Sequence, residues 1–216
     1  MIIINGSPKV KDSTSSMFIS KVEEISGTKS TVYQAIKLMR QDDISVELAD
    51  IMNANSLLFV FPLYVDSLPA PLIKILTMIE HAATNLSGQT LPKVYAICNC
   101  GFYEAKHNFL ALDIIKNFCA RAGMTWGYGI GIGGGGFVSS QSQNMSKGPA
   151  TDVYAALCEL CAMMQSGGTR EQNVFAAPKI PRFLYKLGGN IGWPQLAKKY
   201  GLTKKSLGAK PNSIKK

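Results

Sequence analysis

The sequence predicts an α/β domain built on a doubly wound, five-stranded parallel sheet, and three observations predict it. Short apolar runs alternate with stretches of helical spacing from Ile2 to Met164. The run Ser56 to Phe61 is almost wholly apolar, as a strand covered on both faces requires. The first run closes on Asn5-Gly6 and a hydroxyl-rich stretch that leads into a helix, and alternating strands and helices of this kind form parallel sheets.

Ile2 to Ile4 form the first strand, and Met17, Phe18, Ile19, Val22 and Ile25 line the first helix. Thr31 to Ala35 reads as the second strand, and Asp42-Asp43 opens a helix carrying Ile44, Val46, Leu48 and Ile51. After the strand at 56–61, Pro71 to Ala83 places Leu72, Ile75, Leu76 and Ile79 on one side of a helix. Lys93 to Cys98 is the fourth strand. Asn108 to Arg121 is the helix after it, with Gly123 suited to its C-terminal cap. Thr125 to Ile132 is the fifth strand and Thr151 to Met164 the fifth helix. Between these two, Gly133 to Gly136 and the Ser/Gln/Asn stretch after it read as one flexible loop. The pattern changes after Gly167-Gly168. Residues 1–168 therefore read as one domain, and 169–216 as a basic C-terminal extension that is not an independent domain.

Composition narrows the functional classes. At 46% apolar and 17% charged residues the balance is globular, and no apolar run approaches a membrane span. Met1 to Ile4 lacks the basic segment and the length of a signal peptide, so a cytoplasmic protein is expected. Five scattered cysteines agree, reading as reduced core thiols. Residues 178–216 hold ten Lys or Arg and no Asp or Glu; subtracting those ten from the net +9 leaves −1 for the rest. That basic end is expected to be solvated or to touch something acidic: an anionic membrane surface, a nicotinamide phosphate or a redox partner. The lysines lack aromatic interleaving and a recognised binding module, so no sequence-specific nucleic-acid binding is expected.

Ligands of such sheets bind at the carboxyl ends of the strands, so the loops there carry the chemistry. The first, Asn5-Gly6-Ser7-Pro8-Lys9 followed by Ser13-Thr14-Ser15-Ser16, offers hydroxyls, backbone N–H groups and a helix dipole to a phosphate. It lacks the Gly-x-x-x-x-Gly-Lys-Ser/Thr pattern and suits a monoester better than a triphosphate. The same hydroxyls would also serve a helix N-cap at Ser13 or Thr14.

Gly6-Ser7-Pro8-Lys9 with Ser13 to Ser16 resembles the phosphate loop of the NAD(P)H-dependent FMN reductases, which are flavodoxin-like flavoproteins. The usual loop of that family reads Gly-Ser-Pro-Arg, a glycine-containing spacer, then Ser. Here Lys9 replaces the arginine and Val10-Lys11-Asp12 lies in the spacer. Pro62-Leu63-Tyr64 through Pro69 to Lys74 resembles the family's ring-lining Pro-x-Tyr segment, and Asn99-Cys100-Gly101-Phe102-Tyr103 follows the fourth strand where the family makes a third contact. The resemblance covers residues 1–165 and reaches, in fainter form, Pro181 to Trp193.

It implies a flavodoxin-like sheet in the order 2-1-3-4-5 and FMN as cofactor, with NADPH or NADH as electron donor. The phosphate would meet Ser7, Lys9, Ser13, Thr14, Ser15 and Ser16. The ring would meet Pro62, Leu63, Tyr64, Val65 and Asp66, and its far edge Asn99, Cys100, Gly101, Phe102 and Tyr103. The implied activity is electron transfer from NAD(P)H to a small-molecule acceptor (a quinone, flavin, nitro or azo compound) in a homodimer. Hydride transfer of this kind needs no side-chain acid or base, so no catalytic residue is expected. A flavodoxin-type carrier without direct NAD(P)H oxidation is the alternative, and a flavodoxin-fold binding protein adapted to another phosphate ligand is a third.

Three further patterns carry less. Gly129-Ile130-Gly131-Ile132-Gly133-Gly134 matches a dinucleotide fingerprint but lies within and after a strand with no immediate helix expected behind it. Cys158-x-x-Cys161 sits in an apolar helix without a second pair, so no metal site is expected. His81 and His107 have no nucleophile motif beside them.

Overall fold

β1, Ile2–Asn5, is buried along its whole length and pairs in parallel with β2, Thr31–Gln34, on one side. Between them α1, Thr14–Ser26, ends at Gly27, whose left-handed φ of 67° is the conformation a helix-terminating glycine adopts without strain. The computed structural model describes residues 1–86, 88–203, 206 and 208. A short α2, Ala35–Leu38, and α3, Ser45–Met52, lead to β3, Ser56–Pro62. The Asp43 carboxylate accepts the Ser45 amide at 2.8 Å just ahead of α3. α4, Ala70–Thr84, β4, Lys93–Asn99, α5, Phe109–Ala122, and β5, Thr125–Ile132, complete the five alternations the sequence predicts up to that point.

Among the described residues the sheet has six strands in the order β2-β1-β3-β4-β5-β6, with β6 at Val174–Ala176 and all pairs parallel, which corrects the expected five. Its first five strands follow the flavodoxin-like order. β6 is only Val174–Ala176 and lies beyond residue 168, so the sheet runs into the segment read as the extension. Three residues hold no legible period. Their strand conformation comes from pairing with Ile130 to Ile132 of β5. An added Cβ at Gly131 would lie 2.7 Å from the Phe175 ring, so a glycine in β5 makes room for this edge strand.

Successive strand residues face opposite layers, which is why the central strands are apolar throughout. Ile2, Ile4, Leu57, Phe59, Phe61, Val94 and Ala96 pack under α3, α4 and α5. Ile3, Leu58, Val60, Tyr95, Ile97 and Tyr128 pack under α1 and α7, Thr151–Ser166, with Phe18, Val22, Leu157 and Leu160. Gly127 is the extra residue of a bulge in β5, and an added Cβ there would collide with the Tyr95 ring at 2.3 Å. The Tyr95 hydroxyl donates to the Gly168 carbonyl at 2.7 Å, tying β4 to the end of α7.

The segment read as a flexible glycine loop is instead packed and partly helical. α6, Gly135–Ser140, starts directly after Gly134, and a single 3-10 turn follows at Ser142–Asn144. The Gly133 and Gly134 amides donate to the carbonyls of Ala176 and Phe102 at 3.0 and 2.6 Å. A Cβ at Gly133 would meet the Tyr103 carbonyl at 2.4 Å, so close backbone approach explains this glycine better than flexibility does.

Contacts divide the chain into two compact units, Met1–Lys179 and Ile180–Lys216. The second contains α8, Arg182–Lys199. Residues 204, 205, 207 and 209–216, which include five of the lysines of the basic end, lie outside the described residues. Among the described residues no helix is long and apolar enough to cross a membrane.

Candidate functional site

Asn5 ends β1, and its buried side chain shapes the first loop. Its Oδ1 accepts the Ser7 amide at 3.0 Å and its Nδ2 donates to Ser16 Oγ at 3.1 Å. The chain can turn there because residue 6 is glycine: an added Cβ would lie 2.7 Å from Leu72 Cδ2 and 2.8 Å from Phe61 Cβ. Ser13 caps α1 by accepting the Ser16 amide at 3.0 Å, and the Ser13 and Ser16 hydroxyls lie 2.8 Å apart. The Lys9 ammonium donates to the Asp12 carbonyl at 2.8 Å, and Asp12 itself takes a left-handed φ of 51°. Lys9 thereby bridges the loop. The amides of Thr14 and Ser15, in the first turn of α1, are ones that helix geometry leaves without an intrahelical acceptor.

Three chain segments meet here at the carboxyl ends of β1, β3 and β4. A cavity of about 210 Å³ is lined by Ser7, Lys9, Ser13, Thr14 and Ser15 from the first, Pro62 and Tyr64 from the second, and Asn99 from the third, together with Asp12. Asn99 fastens them. Its Nδ2 donates to the Phe61 carbonyl at 3.0 Å and to Ser15 Oγ at 3.3 Å, and the side chain is only 4% exposed.

The remaining predicted residues fall around this cavity. Ser16 stands behind it, held by Asn5 and Ser13. Leu63 donates its amide to the Asn99 carbonyl at 2.8 Å, joining the ends of β3 and β4. Tyr64 and Ser67 exchange backbone hydrogen bonds of 2.9 and 3.0 Å across Val65 and Asp66, whose φ values are 49° and 57°. That is a two-residue turn with both central residues left-handed, a conformation that strains a β-branched valine. Val65 is 98% exposed, so packing does not force it there. Asp66 borders a separate cavity with Glu104, Lys106, His107, Phe109 and Leu110. Phe102 is exposed and leans on His107, the ring centroids 4.6 Å apart. Gly101 faces open space, since an added Cβ would meet nothing within 4 Å, and half-buried Tyr103 presents its carbonyl to the Gly133 position.

Cys100 is buried, with Asn108 Nδ2 donating to its sulfur at 3.4 Å. Burial raises its thiol above the ordinary range, and raises that of Cys98 far above it, so neither is a ready thiolate. All five cysteines are free, and among the described residues no cluster could hold a metal ion.

Sequence reasoning missed Asn5, Asp12 and Asn108 as organisers, and missed the glycine segment as a wall. Asn108 Nδ2 also donates to the carbonyls of Ala105 and Ile132 at 2.8 and 3.2 Å. A Cβ at Gly135 would meet the Cys100 carbonyl, Asn99 Oδ1 and Thr14 Cγ2 at 3.1, 3.2 and 3.5 Å, so α6 begins against the back of the cavity. Asn5 carried one usable signal, a polar residue closing an apolar strand; for Asn108 the bond to Ala105 is local, but the one to Ile132 joins residues 24 apart and has no sequence mark.

No family model matches the sequence, and no curated protein matches it. Solved structures do. An NADH:FMN oxidoreductase, 18% identical, aligns over 79% of this chain and 90% of its own with a TM-score of 0.57. An NADPH-quinone reductase from P. pentosaceus, 14% identical, aligns over 74% and 96% with a TM-score of 0.53. General stress protein 14 of Treponema denticola, solved in complex with FMN, is 15% identical and aligns over 74% and 98% with a TM-score of 0.50. The first two are a flavin and a quinone reductase and the third holds FMN, in keeping with the resemblance of the first loop, and at such identities what they share with this chain is the fold.

Proposed function

We propose that this chain is an FMN-dependent oxidoreductase that takes electrons from NADPH or NADH and delivers them to a small-molecule acceptor such as a quinone, a flavin, or a nitro or azo compound. The observation that carries the reading is the convergence of the loops after β1, β3 and β4 on one cavity whose inner wall is Ser7, Lys9, Ser13, Thr14 and Ser15. Those residues fit a phosphate monoester: hydroxyls to donate, a lysine for charge, and the positive end of α1 beneath. FMN, when bound, supplies the redox chemistry. The chain's own residues hold and orient it. Ser7, Lys9, Ser13, Thr14, Ser15 and, from behind, Ser16 take the phosphate; Pro62 to Asp66 border the ring, and Asn99 to Tyr103 its far edge.

Two companion proposals follow. Val65, Phe102 and Phe109 are large apolar side chains exposed near these loops, which supports a homodimer. Five free thiols support a reducing, cytoplasmic setting. Titration with FMN and with riboflavin tests the phosphate wall, since a chain that binds both equally, or neither, overturns it. Anaerobic mixing with NADPH and with NADH then separates an oxidoreductase, whose flavin bleaches rapidly, from an electron carrier, whose flavin does not. Light scattering reports the oligomeric state.

A further inference from the structure

The C-terminal unit holds a helix whose large apolar side chains remain in solvent. Along α8, Phe183, Leu184, Leu187, Ile191, Trp193 and Leu196 are 45–68% exposed. At 3.6 residues per turn, Phe183, Leu184, Leu187 and Ile191 fall within about 100° of arc, an apolar stripe over the first half of the helix, with Lys186 beside it. The helix is also a poor one by composition. Gly188, Gly189 and Gly192 lie in its interior, as does Pro194. Glycine and proline weaken a helix interior, and starting a helix in water is itself unfavourable. Such a segment is stabilised by what its apolar stripe rests on.

The charge identifies the surface. From 178 to 216 the chain carries ten Lys or Arg and no carboxylate side chain, while residues 1–177 sum to −1. A body so nearly neutral offers little attraction to the basic segment of a second copy. A docking site shaped for one protein would need a defined packed core, whereas the apolar surface here is irregular: Pro194 and Lys198 fall within the stripe, and Trp193 and Leu196 lie off it. A fluid anionic surface accepts that irregularity. Lysines reach the headgroups, Trp193 and Tyr200 suit the interface, and the stripe enters the acyl boundary. We propose that α8 binds the chain peripherally to an anionic lipid bilayer, lying in the plane of the interface.

The inference does not depend on the flavin reading. The test is co-sedimentation of the full chain with vesicles of phosphatidylcholine alone and of phosphatidylcholine with phosphatidylglycerol, at low and high salt. Binding is expected only to the anionic vesicles and is expected to weaken with salt. Replacing Leu187 and Ile191 by Ser should reduce it by about tenfold or more, through lost apolar burial. Replacing Lys186, Lys198 and Lys199 by Gln should reduce it on the order of 100-fold, at roughly fivefold per charge. FMN affinity and thermal melting of both variants show whether the body remains intact. Equal binding to neutral vesicles, no binding to anionic ones, or unchanged binding by the Leu187/Ile191 variant overturns the proposal. So does concentration-dependent dimerisation that the same variant abolishes in a chain that ignores lipid.

Discussion

Replacing Asn99 by alanine should damage stability and phosphate recognition through one side chain. Asn99 is buried at 4% exposure, and its Nδ2 serves both the Phe61 carbonyl at 3.0 Å and Ser15 Oγ at 3.3 Å. Each of the two bonds contributes about 1 kcal/mol net, and stranding a buried carbonyl costs a further 1–3 kcal/mol or so, giving an expected loss of about 3–5 kcal/mol in unfolding free energy. The Ser15 hydroxyl also loses the donor that orients it toward the cavity. If that orientation contributes about 1.4 kcal/mol to phosphate binding, the FMN Kd rises about tenfold while the riboflavin Kd moves much less. Urea unfolding of the ligand-free chain gives the first quantity, and parallel flavin titrations give the second. A stable variant with unaltered FMN affinity would refute the account of Asn99 as the tie between the three segments. A variant weakened equally toward both flavins would refute the link through Ser15 to phosphate.

Ser13→Ala removes the cap on the Ser16 amide and should cost about 1 kcal/mol, read as a lower urea midpoint with unchanged m. Val65→Gly should stabilise by roughly 0.5–1 kcal/mol, because it relieves a left-handed valine whose side chain packs on nothing; a lower melting temperature would contradict that strain. Burial pushes the Cys119 thiol up to about 12 and the Cys161 thiol up to about 11, from an ordinary 9.0. The fold therefore holds these protons more tightly than the unfolded chain does. The stability they contribute is complete below about pH 9 and falls as pH rises toward 11–12, so melting temperature should decline across that range and decline less in a Cys119→Ala variant.

Strand and helix succession was legible because parallel strands buried on both faces must be apolar end to end, as Ser56 to Phe61 shows, and because α4 and α5 carry regular apolar spacing. The first loop was legible for a different reason. Gly6, Ser7 and the serines around the start of α1 are a local signature, and the Ser13 cap follows from positions only three residues apart. The sites assigned after β3 and β4 rested on resemblance, and the geometry separates them: Pro62, Tyr64 and Asn99 reach the cavity, whereas Phe102 turns to His107 and Asp66 to a neighbouring hollow.

Which stretches become buried strands, which faces of the helices point inward, and the gathering of hydroxyls at the N-terminus of α1 are all readable from the residues alone. Those are short-range properties, set by side-chain period and chain direction. That Val174–Ala176 joins the sheet, that Gly133 and Gly135 are contact points, and that Asn99 clasps Ser15 from 84 residues away follow only from the folded arrangement. Each of these depends on a partner brought near by folding. A three-residue strand has too little period to announce itself, a glycine does not reveal what its missing Cβ would have struck, and an asparagine has no sequence mark for a hydrogen bond that exists only once β4 lies beside β3.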